Sequence, residues 1–247
     1  ILTALGADIP VYAHLSMILG DDGQKLSKRH GAVSVMEYEK NGYLPEAVLN
    51  YLARLGWSHG NDEVFSMDQF CNWFDLDHIT PSAAQFNTEK LDWLNGEYIR
   101  KLDHVVLGDR LRPYLEREGL DIRSGPPVHR VAELLRDRSP TLAEMAIQAM
   151  YFFFRPNVSP VLLASHLSEA ARPALAALIN EFAKVEWNKA TLGATIKAAV
   201  AAHGLKMPQV MMPLRVALTG QAQSPSVDAV LEVLGQEEAL ARLALLT

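Results

Sequence analysis

Residues 20–31 read Gly-Asp-Asp-Gly-Gln-Lys25-Leu26-Ser27-Lys28-Arg29-His30-Gly31, a short segment with three cations and a hydroxyl between glycines. Glycine accepts conformations closed to other residues, so glycines at both ends permit a mobile loop. Ammonium and guanidinium groups donate charge-assisted hydrogen bonds to phosphate oxygens, roughly twice as strong as neutral ones. Such cations suit a site where negative charge must be held or offset. Lys-x-Ser-Lys is a short pattern, and in an arbitrary protein a solvated basic turn is its ordinary meaning. The surroundings of the loop therefore decide.

The elements that must position this loop are mostly helical. In residues 44–56, Pro45 suits a first helical position. Val48, Leu52 and Leu55 share one face, and Gly56 is a stop. Ser66-Met67-Asp68-Gln69 fits a capping box ahead of Phe70, Trp73 and Phe74. Further helices are predicted at about 88–94, 97–102, 108–118, 127–137, 141–153, 158–166, 169–185, 189–203, 207–219, 226–234 and 236–246. Strand signal is confined to Pro10–Leu19 and Ala32–Val35, on either side of the loop. Ser124-Gly125-Pro126-Pro127 reads as a turn or linker, and Arg155-Pro156-Asn157 as a boundary between helical units.

Composition narrows the function classes. The chain has 247 residues, 49% of them apolar and 21% charged, as in an ordinary globular protein. No apolar run approaches the roughly 18 residues that span a bilayer, and no membrane association is expected. With Cys71 as its single cysteine the chain forms no internal disulfide or cysteine zinc site, which fits a reducing cytoplasm. Cys71 itself reads as a packed apolar residue beside Trp73 and Phe74. The seven histidines outside the loop, at 14, 59, 78, 104, 129, 166 and 203, lack the mutual spacing of metal ligands, so no metal site is expected. The net charge of −6 is uneven: residues 1–94 carry −7 and residues 95–247 carry +1. That balance does not describe a bulk phosphate binder, but local arginine patches can still hold a folded RNA.

The context of the loop resembles bacterial glutamyl-tRNA synthetases, class I aminoacyl-tRNA synthetases. Lys25–Arg29 is similar to their Lys-Met-Ser-Lys-Ser signature, with Leu26 for Met and Arg29 for the last Ser, the form typical of glutamyl enzymes. Ala13–Leu19 before the loop, and His30–Val35 and Gly42–Leu52 after it, look like the same family. The resemblance runs through essentially the whole chain and implies that it is the carboxy-terminal portion, without the amino-terminal half. The family's His-x-Gly-His signature is absent. By resemblance, Lys25, Leu26, Ser27, Lys28 and Arg29 bind ATP with its Mg²⁺. Lys28 is then the chief catalytic cation offsetting charge on the α-phosphate, with Lys25 assisting. No tightly held cofactor is expected in this chain.

The resemblance also points to residues that read RNA. Unpaired loop bases expose their Watson–Crick edges, and the planar fork of arginine can bond such an edge twice. A mismatched base leaves a buried donor unmet, at about 1–3 kcal/mol. Arg138, in Glu133–Leu142, matches the family's contact to the first anticodon base, and Arg215, in Met212–Gly220, its contact to the last. Ser224, Pro225 and Val227 fall where the family meets the middle and last bases. A helix-end arginine favourable to the dipole, and a capping turn ahead of the next helix, are the structural alternatives for these stretches. Trp93 reads as a core residue rather than a base platform.

The expected architecture is mainly α: a small mixed α/β stem-contact domain over 1–100, then two helical anticodon-binding domains at 101–154 and 155–247 that form a helical cage. The expected partner is tRNA(Glu), bound by a cytoplasmic monomer, and the chain alone is expected not to charge it. Glutaminyl enzymes carry β-barrels at this place and a shorter queuosine-modifying paralogue lacks the helical domains; residues 101–247 disfavour both. A purely helical binding module with an incidental loop is the alternative of another class.

Overall fold

The computed structural model describes residues 1–20, 22–26 and 34–246. The chain divides between Lys101 and Leu102 into two compact units.

The first unit holds four α-helices among its described residues. Helix α1, Val35–Lys40, starts where the Ser34 hydroxyl accepts from the Met36 amide. The strand expected over Ala32–Val35 is thus replaced at Ser34 and Val35 by a cap and a helix start, while Ala32 and Val33 lie outside the described residues. Helix α2, Pro45–Gly56, begins on Pro45 as its pattern predicts. It buries Ala47, Val48, Asn50 and Tyr51, whereas Leu52 is exposed, so the inward face is turned from the one predicted. Helix α3, Met67–Trp73, carries the predicted capping box, with Ser66 and Gln69 bonded reciprocally. The strand expected over Pro10–Leu19 shrinks to β1, Ile18–Leu19, which pairs in parallel with β2, Ala84–Gln85.

Helix α4, Thr88–Lys101, joins two predicted helices into one. Asn95-Gly96 does not break it, because the fully buried Asn95 carboxamide accepts from the Leu44 amide at 2.8 Å. This satisfies an amide at the start of α2 that no capping side chain serves. Tyr51, Leu91 and Leu94 form the core between α2 and α4, with Tyr43, Phe86 and Tyr98 packed around them. Two sequence expectations fail here. Cys71 is exposed, and Trp93 is 42% exposed with the Lys90 ammonium 4.4 Å above its ring. Both lie on helix faces that meet water, a matter of helix rotation that residue type does not reveal.

The second unit is helical throughout its described residues. Helix α5, His104–Arg117, is capped by Asp103, whose carboxylate accepts from the Val105 and Val106 amides. Helices α6, Val128–Leu135, and α7, Leu142–Phe153, pack on α5. At the α5–α6 crossing Gly108 lies so close that a Cβ there would stand 2.7 Å from the His129 Cα. Helices α8, Pro160–His166, α9, Arg172–Phe182, and α10, Lys189–Ala202, follow. They lead to α11, Met207–Thr219, α12, Val227–Leu234, and α13, Gln236–Leu243.

The division expected near residue 154 runs inside this unit. Helix α11 packs on α7, and α12 on α6. Arg242 on α13, only 3% exposed, donates through Nη1 to the Tyr151 carbonyl at 2.7 Å and the Leu218 carbonyl at 2.6 Å. Its Nε donates to Glu238 at 2.7 Å, and Glu238 also takes a forked pair from Arg155 at 3.1 and 2.7 Å. The hydrogen bond from Arg155, and then that from Arg242, hold the Glu238 carboxyl below its ordinary pKa against partial burial.

Glu238→Ala leaves a buried guanidinium without its anion and should cost on the order of 3 kcal/mol in urea unfolding. Arg155→Ala, at an exposed partner, should cost less than about 1 kcal/mol. A depressed carboxyl pKa stabilises the fold above the unfolded value. The melting-temperature gap between the native chain and Glu238→Gln is therefore expected in full at neutral pH, closing as pH falls below about 4.3.

Candidate functional site

Two separate stretches converge in the second unit. The first is the turn between α6 and α7. Helix α6 ends at Leu135, and the Arg138 amide bonds the Leu135 carbonyl at 2.9 Å, closing a tight turn. Arg136 reaches back to the Leu102 carbonyl at 3.1 Å. Ser139 is buried, and Thr141 caps α7 through the Glu144 amide. Arg138 is left exposed at the apex, its carbonyl held by Gln148 Nε2 at 3.3 Å.

The second stretch follows α11. Gly220 closes that helix in the left-handed region, at φ +71°, and a Cβ there would lie 2.9 Å from Pro156. The buried Thr219 hydroxyl donates to the Arg215 carbonyl at 2.8 Å and accepts from the Gln221 amide at 3.2 Å. These bonds set the direction of the loop over 221–225. Arg215 is half-buried; its Nε donates to the Ser224 hydroxyl at 3.0 Å and Nη1 contacts the Met212 sulfur at 3.2 Å. The Ser224 hydroxyl in turn donates to the Pro225 carbonyl at 2.8 Å.

Between the two stretches lies a cavity of about 440 Å³, walled by Arg138, Gln148, Tyr151, Gln221, Gln223 and Ser224. Pro225 and Leu135 complete it. Small-molecule sites begin near 300 Å³, so this is space on the scale of a nucleobase. Its polar groups are one cation, three carboxamides and two hydroxyls, a set with donors and acceptors but no anion. Of the expected reading residues, the structure brings Arg138, Ser224 and Pro225 to one wall-lined space. Arg215 is not among the lining residues but bonds Ser224, which is. Val227 does not line this space; its side chain is 1% exposed, in the core at the start of α12.

Gln148, Tyr151, Gln221 and Gln223 were not singled out by sequence. The Gln-Ala-Gln spacing after a helix-ending glycine is a readable signal of two carboxamides on one loop. Tyr151, in an apolar run with Phe152 and Phe153, carries no such signal.

In the first unit, the Gly20 amide bonds the Gln24 carbonyl at 2.8 Å and the Leu26 amide bonds the Ile18 carbonyl at 3.0 Å. Gly23, at φ +71°, allows this reversal, which pairs Lys25 against Leu19. Lys25 is exposed and Leu26 half-buried. Ser27, Lys28 and Arg29 lie outside the described residues.

Comparison with known proteins agrees with this division. Residues 106–246 match the family model described as an anticodon binding domain. The chain belongs to the anticodon binding domain family. Residues 1–93 match the model of class I tRNA synthetases (E and Q), catalytic domain. The chain is 60% identical over 244 residues to a protein named glutamate–tRNA ligase from Azoarcus sp. (strain BH72). It is 58% identical over 243 residues to one of the same name from Janthinobacterium sp. (strain Marseille). These alignments cover 99% and 98% of this chain but 52% of each relative, so the chain spans about half their length. A crystal structure of a glutamate tRNA ligase from Elizabethkingia meningosepticum in complex with its amino acid is similar too. Its TM-score is 0.86 at 28% identity, over 99% of this chain and 53% of that one. The cavity between Arg138 and Ser224 thus lies within the matched anticodon-binding region.

The Arg215–Ser224 bond fixes the loop over 221–225, and it is charge-assisted. Ser224→Ala and Arg215→Met should each lower stability by about 1–2 kcal/mol. The double variant should lose less than the sum, with a coupling of about 1 kcal/mol in a thermodynamic cycle.

Proposed function

We propose that this chain is the tRNA-binding part of a glutamate–tRNA ligase, which activates glutamate with ATP and transfers it to tRNA(Glu). The observation that carries the proposal is the convergence of Arg138 and Ser224 on one uncharged-amide-lined cavity inside a matched anticodon-binding region. Bases splayed from an anticodon loop offer planar edges with mixed donors and acceptors, which carboxamides, hydroxyls and an arginine fork can satisfy. A phosphate site would gather several cations, and this cavity has one. Relatives named glutamate–tRNA ligase at 50–60% identity support the choice of amino acid and tRNA.

In this reading Arg138 contacts the first anticodon base and Arg215, which also bonds Ser224, the last, while Ser224, Pro225 and Val227 meet the middle and last bases. The loop from Lys25 to Arg29 closes on ATP and its Mg²⁺. Lys28, helped by Lys25, offsets charge on the α-phosphate, while Leu26, Ser27 and Arg29 shape the turn. The parent enzyme works as a cytoplasmic monomer. These 247 residues alone, lacking a His-x-Gly-His motif, bind tRNA without charging it.

Titration of the chain with tRNA(Glu) and with an anticodon-substituted version tests the reading. The native protein should prefer the cognate RNA, and Arg138→Ala should lose about 1–3 kcal/mol of binding to it alone. Equal losses on both RNAs would make Arg138 a backbone contact. In the complete ligase, Lys28→Ala should slow glutamate-dependent ATP–pyrophosphate exchange by orders of magnitude; an unchanged rate would remove that residue from activation.

A further inference from the structure

The polar side chains around the cavity between Arg138 and Ser224 differ in what they can still offer a ligand. The Tyr151 hydroxyl is sealed from solvent and offers nothing. Gln148 Nε2 donates to the Arg138 carbonyl at 3.3 Å. The Ser224 hydroxyl gives its one proton to the Pro225 carbonyl and accepts from Arg215 Nε, so it has no donor left. Gln221 and Gln223 are different. Both are exposed, both line the cavity, and neither carboxamide bonds another described residue.

The backbone that carries these two glutamines is held at both ends. At one end the Thr219 hydroxyl accepts from the Gln221 amide at 3.2 Å. At the other, Arg215 bonds Ser224 at 3.0 Å, and Pro225 beside it is buried. The main chain is therefore already ordered before anything binds, while the two carboxamides remain unengaged. A segment fixed in advance loses less entropy when it takes up a ligand.

A carboxamide carries one acceptor and two donors in a plane, whereas arginine only donates. The Watson–Crick edge of each base sets a donor beside an acceptor, a pair that a glutamine can bond together. Arg138 alone could serve the acceptors of a base and not its donors. A phosphate has acceptors only and an anionic charge, and it would be met by cations; Arg138 is the one cation among the lining residues. Resting on the anticodon-reading function proposed above, we infer that Gln221 and Gln223 are specificity-determining residues whose carboxamides bond the edge of one unstacked anticodon base in this cavity. A site built to hydrogen-bond its ligand rejects one that lacks the partner more strongly than apolar contact can.

The test uses the whole chain, native and with Gln221→Met and Gln223→Met combined, titrated with the tRNA(Glu) anticodon stem-loop and with three versions carrying one abasic anticodon position each. Methionine keeps the reach of the side chain and removes the carboxamide. The double variant should bind the intact stem-loop roughly 10-fold more weakly. Its slope of log affinity against log salt should match the native one, since no phosphate contact is lost. At one abasic position the two proteins should bind alike, which names the base that the glutamines meet. The free variant should melt at the native temperature, because no internal bond is removed. Equal affinity of both proteins for the intact stem-loop would overturn the inference. A loss of equal size on all four RNAs would overturn it too, by assigning the carboxamides to sugar and phosphate, and a lowered melting temperature would do so by revealing an internal partner. If the native chain itself ignores all three abasic changes, the anticodon-reading function fails first and this inference falls with it.

Discussion

Arg242 is the constraint on which the second unit turns. Its Nη1 bridges the Tyr151 carbonyl near the end of α7 and the Leu218 carbonyl near the end of α11. Carbonyls in the last turn of a helix lack intrahelical partners, and the negative end of the helix dipole favours a cation there. One guanidinium therefore serves two helix ends and ties them together. A cation 3% exposed is tolerated only because it is fully bonded and because Glu238 supplies the opposite charge. The cavity follows from this tie. Tyr151 stands on one tied helix end, and the loop with Gln221, Gln223 and Ser224 leaves the other.

In the proposed function the cavity and the basic loop would solve different physical problems. A nucleobase is neutral and planar, with a fixed pattern of donors and acceptors, so it is recognised by groups on a rigid support. Hence Arg215 is spent on Ser224, Thr219 on the loop backbone and Gln148 on the Arg138 carbonyl. A triphosphate is mobile and highly charged, and its attraction to cations tolerates variation in position. Gly23 and the bridged pair Leu19–Lys25 give the start of the loop an anchored base, with the Lys25 side chain free in solvent. The acidic balance of the first 94 residues is thus no obstacle to a local cationic turn.

Much of the architecture was legible because helix signals are local. Ser66 and Gln69 announced their capping box, Pro45 its first turn, and Gly220 the end of α11. These features depend on residues within four positions of one another, and their energetics hardly change with the rest of the fold. The readings that failed all needed a partner from far along the chain. Asn95-Gly96 looked like a break until Asn95 found the Leu44 amide. Trp93 and Cys71 looked buried by residue type, but the rotation of α4 and α3 turns them to solvent.

The sequence by itself determined that the chain is mainly helical and that a Lys-Leu-Ser-Lys-Arg motif stands near its start, because hydrophobic period, caps and motifs are written in consecutive residues. Arg138, Arg215, Ser224, Pro225 and Val227 were pointed to only by the resemblance to a family. Only the tertiary structure decided that Arg138 and Ser224 line one space, that Arg215 bonds Ser224, and that Tyr151 and three glutamines complete the wall. Those facts rest on Arg242 drawing together helix ends that lie 67 positions apart in the chain, Tyr151 and Leu218, and no local pattern encodes a meeting over that distance.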